Sequence, residues 1–188
     1  MKKILFINAC VREESRTLIL AKHLLQGLEG EVTEVNLNEI DIKPLDKKTL
    51  NKRFELSKKK DFSDPMFDYA KQFKEADMIV MAVPYWDMSF PAKFRIYIEN
   101  INVGGITFVY SENGPVGLCK AKELIYITTV GGSFVPQFGY EYIKNMAKIM
   151  YGIEDVGCFV AEGLDVWGND VGAILEKTKK EIDEYLNR

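Results

Sequence analysis

Hydroxyl, guanidinium and thiol groups are concentrated between Ala9 and Thr17, directly after a short apolar run. Ser15 is suited to cap a following helix, and the free N–H groups and positive dipole end of a helix start favour a phosphate. Thr17 would add a second hydroxyl donor, and Arg12 or Arg16 a compensating charge. An ordinary N-cap on a solvated helix has the same residue types. This segment alone therefore leaves a phosphate site and a plain helix start open.

Aromatic side chains mark a second segment, Val83–Pro91, which also follows an apolar run. Tyr85, Trp86 and Met88 lie between two prolines, which predicts a stiff, apolar loop. A flat ring system gains much from aromatic contact, and the backbone amides of such a loop can hydrogen-bond its polar edge. Alternatively, these aromatics only cover the end of a sheet, but their position in a loop favours a ligand.

Two adjacent glycines, Gly131 and Gly132, distinguish a third segment, Thr128–Phe134. Glycine lets the backbone approach a ligand closely or adopt a positive φ. A plain turn has the same sequence pattern, so the pair carries little weight by itself.

Apolar, β-rich runs recur along the chain and alternate with stretches of helical periodicity. The central runs are nearly continuous in apolar residues, as expected of parallel strands covered on both faces. This alternation predicts an α/β fold with an open, doubly wound, five-stranded parallel sheet of order 2-1-3-4-5 and helices on both faces. The predicted strands span residues 3–8, 31–36, 78–83, 124–129 and 156–161, and the helical stretches include residues 18–28, 67–74, 94–101, 142–150 and 171–186.

The three chemically rich segments follow the first, third and fourth predicted strands. Ligands of open α/β sheets bind beyond the carboxyl ends of the strands, so the segments should meet at one edge. A phosphate cradle, an aromatic platform and a glycine loop together fit a flavin mononucleotide (FMN). Because the flavin would carry the redox chemistry, no catalytic side chain is expected.

Two segments interrupt the alternation of strands and helices. Residues 41–63 are rich in charge and are predicted to form a loop with a short helix. Residues 104–118 contain Asn113-Gly114 between short β-prone stretches, which is a strong hairpin signal. We therefore expect a hairpin insertion near residues 105–118, either as a lid or as an arm that contacts a second subunit.

The composition bounds the class of protein. The 188 residues suit one domain, residues 1–188, and 47% apolar with 28% charged residues is typical of a soluble globule. A net charge of −3 offers no basic field for nucleic acid or an anionic membrane. Three scattered cysteines predict free thiols, with no disulfide and no metal site. The first apolar run is too short for an export signal or a membrane span, so we expect a cytoplasmic location.

From Ala76 to Leu118 the chain resembles the FMN-dependent NADH azoreductase / NAD(P)H quinone reductase family of the flavodoxin-like superfamily. The similar strings are Ala-Asp-Met-Ile-Val-Met-Ala-Val-Pro, then Tyr-Trp-Asp-Met, and finally Tyr-Ser-Glu-Asn-Gly-Pro-Val-Gly-Leu at the expected hairpin, which is the most specific. The resemblance extends over nearly the whole chain, including residues 127–132 and 159–163, and is weakest across residues 41–63.

The resemblance implies a flavodoxin-like fold, bound FMN, NADH or NADPH as electron donor, and a quinone or azo compound as acceptor. It also implies a homodimer with FMN near the subunit interface, and we expect donor and acceptor to share one slot in ping-pong kinetics. The residues expected to bind the cofactor are Cys10, Ser15, Arg16, Thr17, Pro84, Tyr85, Trp86, Asp87, Met88, Thr129, Gly131 and Gly132. The residues expected to line the substrate slot, or alternatively to form a dimer-contact cluster, are Phe108, Tyr110 and Phe134.

Three departures from the family pattern bear on redox potential and substrate range. Asp87 stands where the family commonly has Asn, and an ionised carboxylate there would oppose negative charge on a reduced flavin. Val130 stands where an Arg is often found. Glu13 and Glu14 lie beside the expected phosphate site and weaken it electrostatically.

Two other functions remain open from the sequence. Cys10, Arg16 and Thr17 satisfy C-x5-R-[ST], the signature of low-molecular-weight tyrosine phosphatases, in which the thiolate is the nucleophile and the Arg binds phosphate. The loop lacks the Gly or Asn usual in such sites, and no Asp-Pro occurs late in the chain, so a chance match is favoured. The other alternative is a non-enzymatic electron carrier like flavodoxin, although small flavodoxins lack the expected hairpin.

Overall fold

Parallel strands form the central sheet of the computed structural model, which describes residues 1–188. The strands of the protein are β1 (Lys3–Asn8), β2 (Glu31–Asn36), β3 (Met78–Ala82), β4 (Phe108–Ser111), β5 (Gly114–Gly117), β6 (Glu123–Thr129) and β7 (Asp155–Ala161). The sheet has the order β2-β1-β3-β6-β7, and every neighbouring pair is parallel. Strands β4 and β5 lie outside this sheet, so β6 and β7 are its fourth and fifth strands. The predicted order 2-1-3-4-5 is therefore confirmed.

Helices connect the strands and cover the sheet. They are α1 (Arg16–Gly27), α2 (Lys47–Lys58), α3 (Asp68–Glu75), α4 (Ala92–Ile101), α5 (Tyr140–Asn145), which continues into a π-helical turn over Met146–Tyr151, and α6 (Val171–Leu186). None of these helices combines the length and the apolar character that crossing a membrane requires.

An apolar core covers each face of the sheet. Leu5 and Ile7 of β1 lie in a cluster with buried side chains of α3, α4 and α5. Ile4 and Phe6 of the same strand lie in a second cluster with buried side chains of α1 and α6. Successive residues of a strand point to opposite faces. Burial on both sides therefore explains why the strands are apolar at nearly every position.

The Asn113-Gly114 pair lies in a hairpin, as predicted. Strands β4 and β5 pair antiparallel with Ser111 opposite Gly114, which has a φ of 107°. At the far end of β5, Gly117 lies against the backbone of Tyr151, where a Cβ would come within 2.0 Å of the carbonyl carbon. Only glycine therefore lets the hairpin dock on the end of the π-helical turn.

The charged segment at residues 41–63 contains a longer helix than expected. Helix α2 has 12 residues, and the side chain of Asp46 caps it by accepting a hydrogen bond from the N–H of Thr49 at 2.7 Å. No residue of α2 is buried, and Leu50 and Phe54 are exposed. The helix therefore depends on its cap and on residues of good helix propensity more than on packing.

Candidate functional site

A cavity of about 450 Å³ opens at the edge of the sheet where β1, β3, β6 and β7 end. Its volume falls within the range of roughly 300–1,000 Å³ that is typical of ligand sites, and its position is the one expected in open α/β sheets. The cavity is lined by Val11, Arg12, Glu14, Ser15, Arg16, Thr17, Pro84, Tyr85, Trp86, Thr129, Val130, Gly131, Leu164 and Asp165.

The loop between β1 and α1 presents backbone donors that have no partner. None of the N–H groups from Val11 to Thr17 donates a hydrogen bond within the protein. The hydroxyl of Ser15 accepts from the N–H of Leu18 at 3.3 Å, so Ser15 is the N-cap of α1, as predicted. Free amides and the positive end of the helix dipole together suit an anion.

Two amide side chains, the buried Asn8 and the exposed Asn38, fix the base of this loop. The N–H of Cys10 donates to Oδ1 of Asn8 at 2.9 Å, and Nδ2 of Asn38 donates to the carbonyl oxygen of Cys10 at 2.7 Å. The buried Asn8 also donates from Nδ2 to a carboxylate oxygen of Glu34 at 2.9 Å. This network holds the first residue of the loop in place before any ligand arrives.

Positive and negative side chains are equal in number at the end of the cavity formed by the β1–α1 loop. Arg12 and Arg16 line it together with Glu14 and Asp165. Nη1 of Arg16 donates to Oδ1 of Asp165 at 2.9 Å and to the carbonyl oxygen of Leu164 at 3.3 Å. An anion that enters here meets two cations and two carboxylates, and Arg16 is already engaged.

Thr17 and Thr129 link the start of α1 to the end of β6. Their hydroxyl oxygens lie 2.6 Å apart in a hydrogen bond, and Thr17 is buried. Each hydroxyl carries one donor. One of the two hydroxyl protons is therefore used in this hydrogen bond, and the other is free to be donated to a ligand.

Tyr85 and Trp86 form an aromatic wall of the cavity directly after β3. The N–H of Tyr85 donates to the carbonyl oxygen of Thr129, and its hydroxyl donates to that of Val135, both at 3.3 Å. Its ring packs edge-to-face on Phe134 with centroids 5.4 Å apart. Tyr85 is fixed at both ends and provides a preformed surface for a planar ligand.

A tight turn follows this wall. The backbones of Trp86 and Ser89 exchange two hydrogen bonds, at 3.1 and 2.7 Å. Asp87 and Met88 between them have φ values of 50° and 64°, a left-handed conformation that residues with a Cβ rarely adopt. The N–H groups of both residues have no acceptor in the protein. Backbone strain of this kind clusters at functional sites.

The glycine segment runs beside the loop that follows β7. The N–H of Leu164 donates to the carbonyl oxygen of Val130 at 3.1 Å, and the N–H of Asp165 donates to that of Gly131 at 2.9 Å. A Cβ on Gly131 would come within 2.3 Å of Oδ2 of Asp165, whereas a Cβ on Gly132 would meet nothing. Glycine at position 131 therefore leaves room for the observed side-chain conformation of Asp165, whereas position 132 is open.

Most of the residues predicted to bind the cofactor meet at this cavity. Those that line it are Ser15, Arg16, Thr17, Pro84, Tyr85, Trp86, Thr129 and Gly131. The others, Cys10, Asp87, Met88 and Gly132, lie within two positions of a lining residue in the chain but do not line the cavity. Among the predicted substrate residues, Phe134 packs on Tyr85, whereas Phe108 and Tyr110 lie on the hairpin and pack on each other with centroids 5.3 Å apart.

The loop after β7, residues 162–170, also reaches the cavity and was not predicted to do so. Leu164 and Asp165 line the cavity, and Trp167 at the tip of the loop is 99% exposed. The rule that ligands bind beyond strand ends applies to the fifth strand as well. When the rule is applied to the fifth strand, it identifies the β7–α6 loop. The residue types of this loop alone do not indicate a ligand site.

Burial makes Cys10 a poor nucleophile. It raises the pKa of the Cys10 thiol to about 11, against the lowering effect of a hydrogen bond with Ser15. Nucleophilic cysteines have lowered pKa values. In addition, Arg16, which a phosphatase would need beside the thiolate, pairs with Asp165. Both observations oppose the phosphatase alternative.

The fold and the cavity define a doubly wound α/β protein with a loop of unpaired amides and an aromatic wall at the carboxyl edge of its sheet. A family model described as flavodoxin-like fold matches residues 2–186. The FMN-dependent NADH:quinone oxidoreductase of Coprothermobacter proteolyticus is 34% identical over 201 aligned residues that cover 100% of both chains.

Solved structures show the same similarity. The azoreductase from Bacillus anthracis str. Sterne superposes with a TM-score of 0.87 and 25% identity, over 100% of this chain and 99% of that chain. An FMN-dependent NADH-azoreductase from Bacillus anthracis str. Ames Ancestor, solved in complex with FMN, gives a TM-score of 0.84 and 26% identity over the same shares.

The chain therefore belongs to the flavodoxin-like family that includes FMN-dependent NADH:quinone oxidoreductases and azoreductases. The family resemblance and the flavodoxin-like fold predicted from the sequence are confirmed. The named relatives are redox enzymes, which supports the oxidoreductase interpretation and not the phosphatase.

Proposed function

We propose that the protein is an FMN-dependent oxidoreductase that transfers electrons from NADH or NADPH to a quinone or an azo compound. One observation carries the proposal: the amides from Val11 to Thr17 have no acceptor in the protein, and this loop lines the same cavity as Tyr85 and Trp86. A ligand with an anionic tail and a planar ring satisfies both parts. The FMN-dependent relatives support this choice of ligand.

The residues present fit FMN at both ends. The free amides, with Arg12 and Arg16, suit its phosphate. The N–H groups of Asp87 and Met88, and of residues 131–133, donate to nothing in the protein. Polar groups of this kind are normally satisfied, so they are available to the oxygen and nitrogen acceptors of a flavin ring. The aromatic wall supplies apolar contact.

The chemistry divides between ligand and protein. Bound FMN supplies hydride acceptance and electron transfer. The β1–α1 loop would anchor the phosphate, and Tyr85, held by its two hydrogen bonds, would orient the ring. Correct placement of two reactants lowers the barrier without a strong acid or base, and water can supply the final proton.

We further propose a homodimer in which the donor and the acceptor use one slot in turn. Phe108 and Tyr110 lie on the hairpin, outside the cavity of their own chain, and Tyr110 is exposed. In a dimer with FMN near the interface, the hairpin of one subunit would complete the slot of the other, together with Phe134. We propose that the chain works as one domain and in the cytoplasm.

The visible spectrum tests the cofactor. The purified protein, supplied with FMN, should be yellow, release FMN on denaturation and bleach when NADH is added without oxygen. A protein that stays colourless at saturating FMN contradicts the proposal. So does hydrolysis of aryl phosphates that is lost in Cys10→Ser.

Initial rates test the shared slot. A ping-pong reaction gives parallel double-reciprocal lines when the donor is varied at several fixed concentrations of quinone. Intersecting lines would show that both substrates bind at once and would exclude the shared slot, while leaving the FMN chemistry intact.

A further inference from the structure

We infer that Asp165 is a specificity-determining residue that weakens binding of the phosphate-bearing flavin by competing for Arg16. This inference deepens the proposed function and rests on it. The residue lies at the end of the cavity where the β1–α1 loop offers its free amides.

Asp165 already occupies the cation that an incoming phosphate would use. Its Oδ1 accepts from Nη1 of Arg16 at 2.9 Å, and the carbonyl oxygen of Leu164 accepts from the same nitrogen at 3.3 Å. Two acceptors on the β7–α6 loop therefore hold Arg16. A phosphate that binds through Nη1 of Arg16 must displace at least the carboxylate, and one that binds through Nε or Nη2 shares the cation with it.

The backbone, and not Arg16, fixes the position of Asp165. Its N–H donates to the carbonyl oxygen of Gly131 at 2.9 Å, and Nδ2 of Asn169 donates to the carbonyl oxygen of Gly163 at 2.8 Å across the base of the loop. The carboxylate also lies against Gly131, whose missing Cβ leaves room for this side-chain conformation. When Arg16 turns to a phosphate, Asp165 stays beside the site.

The ion pair is weak enough to be displaced. The side chain of Arg16 is 40% exposed and that of Asp165 is 72% exposed, and exposed pairs contribute little to stability. A phosphate dianion carries more charge than a carboxylate and gains hydrogen bonds from the free amides as well. After displacement, the unpaired Asp165 repels the dianion.

The free amides of the β1–α1 loop favour FMN over riboflavin, and Asp165 reduces this preference. Riboflavin has the same ring without the phosphate, so Asp165 does not act against it. The substitution Asp165→Asn keeps the shape of the side chain and removes its charge. It therefore isolates the competition.

The experiment is a titration of the flavin-free protein with FMN and with riboflavin, followed by flavin fluorescence at low salt. For D165N we expect the Kd of FMN to fall about tenfold, from the Coulomb energy of one charge near a dianion, and the Kd of riboflavin to stay unchanged. Raising the salt concentration should shrink the difference. Glu29→Gln is the matched control, because Glu29 is exposed at the opposite edge of the sheet, just before β2, and its substitution changes the net charge equally.

A double-mutant cycle with Arg16→Gln tests whether the effect runs through Arg16. If Asp165 competes for Arg16, the gain from D165N is smaller in the R16Q background. The inference is overturned if D165N leaves the Kd of FMN unchanged or raises it, or if it tightens riboflavin equally. Failure of both the parent and D165N to bind FMN would instead overturn the proposed function and the inference with it.

Discussion

At the scale of single residues, Met88 shows the cost of shaping this site. Its φ of 64° lies in the left-handed region, which costs a side chain with a Cβ about 1–2 kcal/mol, whereas glycine adopts it freely. Glycine loses more entropy on folding, which offsets part of the gain. We therefore expect Met88→Gly to raise the free energy of unfolding of the flavin-free protein by about 0.5–1 kcal/mol, measured by urea denaturation.

Val11 provides the control for this substitution. It is exposed to a similar degree but is not among the residues with positive φ. Val11→Gly should therefore lower stability, because only the entropic cost applies. Equal losses for both variants would mean that the left-handed turn is not strained.

Residue types in the sequence were enough to identify three of the loops that line the cavity. Ser15 and Tyr85 carry groups whose chemistry is visible in the sequence, and both line the cavity. Asp165 could not be singled out, because an exposed carboxylate is common and its meaning comes from the contact with Arg16 across the fold. The engagement of Thr17 by Thr129 was equally invisible, since it joins residues that are distant in the chain.

At the scale of elements, α2 is the helix with the least support. None of its residues is buried. One of its contacts with the rest of the protein is the hydrogen bond from Nη1 of Arg53 to the carbonyl oxygen of Glu99 at 2.8 Å. Regions with few buried contacts open at low free energy. We expect the amides of α2 to exchange with deuterium faster than those of the other helices, measured by mass spectrometry.

Two substitutions sharpen this prediction. Arg53→Ala removes this hydrogen bond and should speed amide hydrogen exchange in α2 by about tenfold, in line with the loss of one charge-assisted hydrogen bond. Lys58→Ala, at the exposed end of the helix, should change it little. Slow exchange in α2 of the parent protein would show that another surface covers the helix.

The same helix shows why strand positions were easier to predict than this segment. Strands covered on both faces carry a strong apolar pattern, as β1 and β3 do. Helix α2 has no fully buried residue, and only the partly buried Leu56 packs on a core cluster, so its Asp46 cap and helix-forming residues mark it more than an apolar stripe does. The hairpin was predictable because Asn113-Gly114 specifies the turn locally.

At the scale of the whole molecule, the thiols limit stability at high pH. Burial raises the pKa of Cys10 to about 11 and those of Cys119 and Cys158 to about 12. Unfolded thiols ionise near pH 8.5, so the unfolded state loses protons first. Stability should thus be complete below about pH 8 and should fall as pH rises towards the folded pKa values.

The expected loss between about pH 8 and about pH 10 is roughly 2 kcal/mol for each of these thiols. Urea denaturation at the two pH values measures it. Cys158→Ala removes one ionisation, so its loss over this interval should be smaller by roughly 2 kcal/mol. A loss that is identical in the variant would show that other groups cause the alkaline decline.

Trp167 gives the molecule a built-in optical probe. The chain has two tryptophans, and this indole is almost wholly hydrated at the tip of the β7–α6 loop. A hydrated indole emits at long wavelength and is quenched by iodide. A covered indole emits at shorter wavelength and is protected from iodide. The emission of the protein as a function of its concentration therefore reports, without any label, whether assembly shields this loop from water.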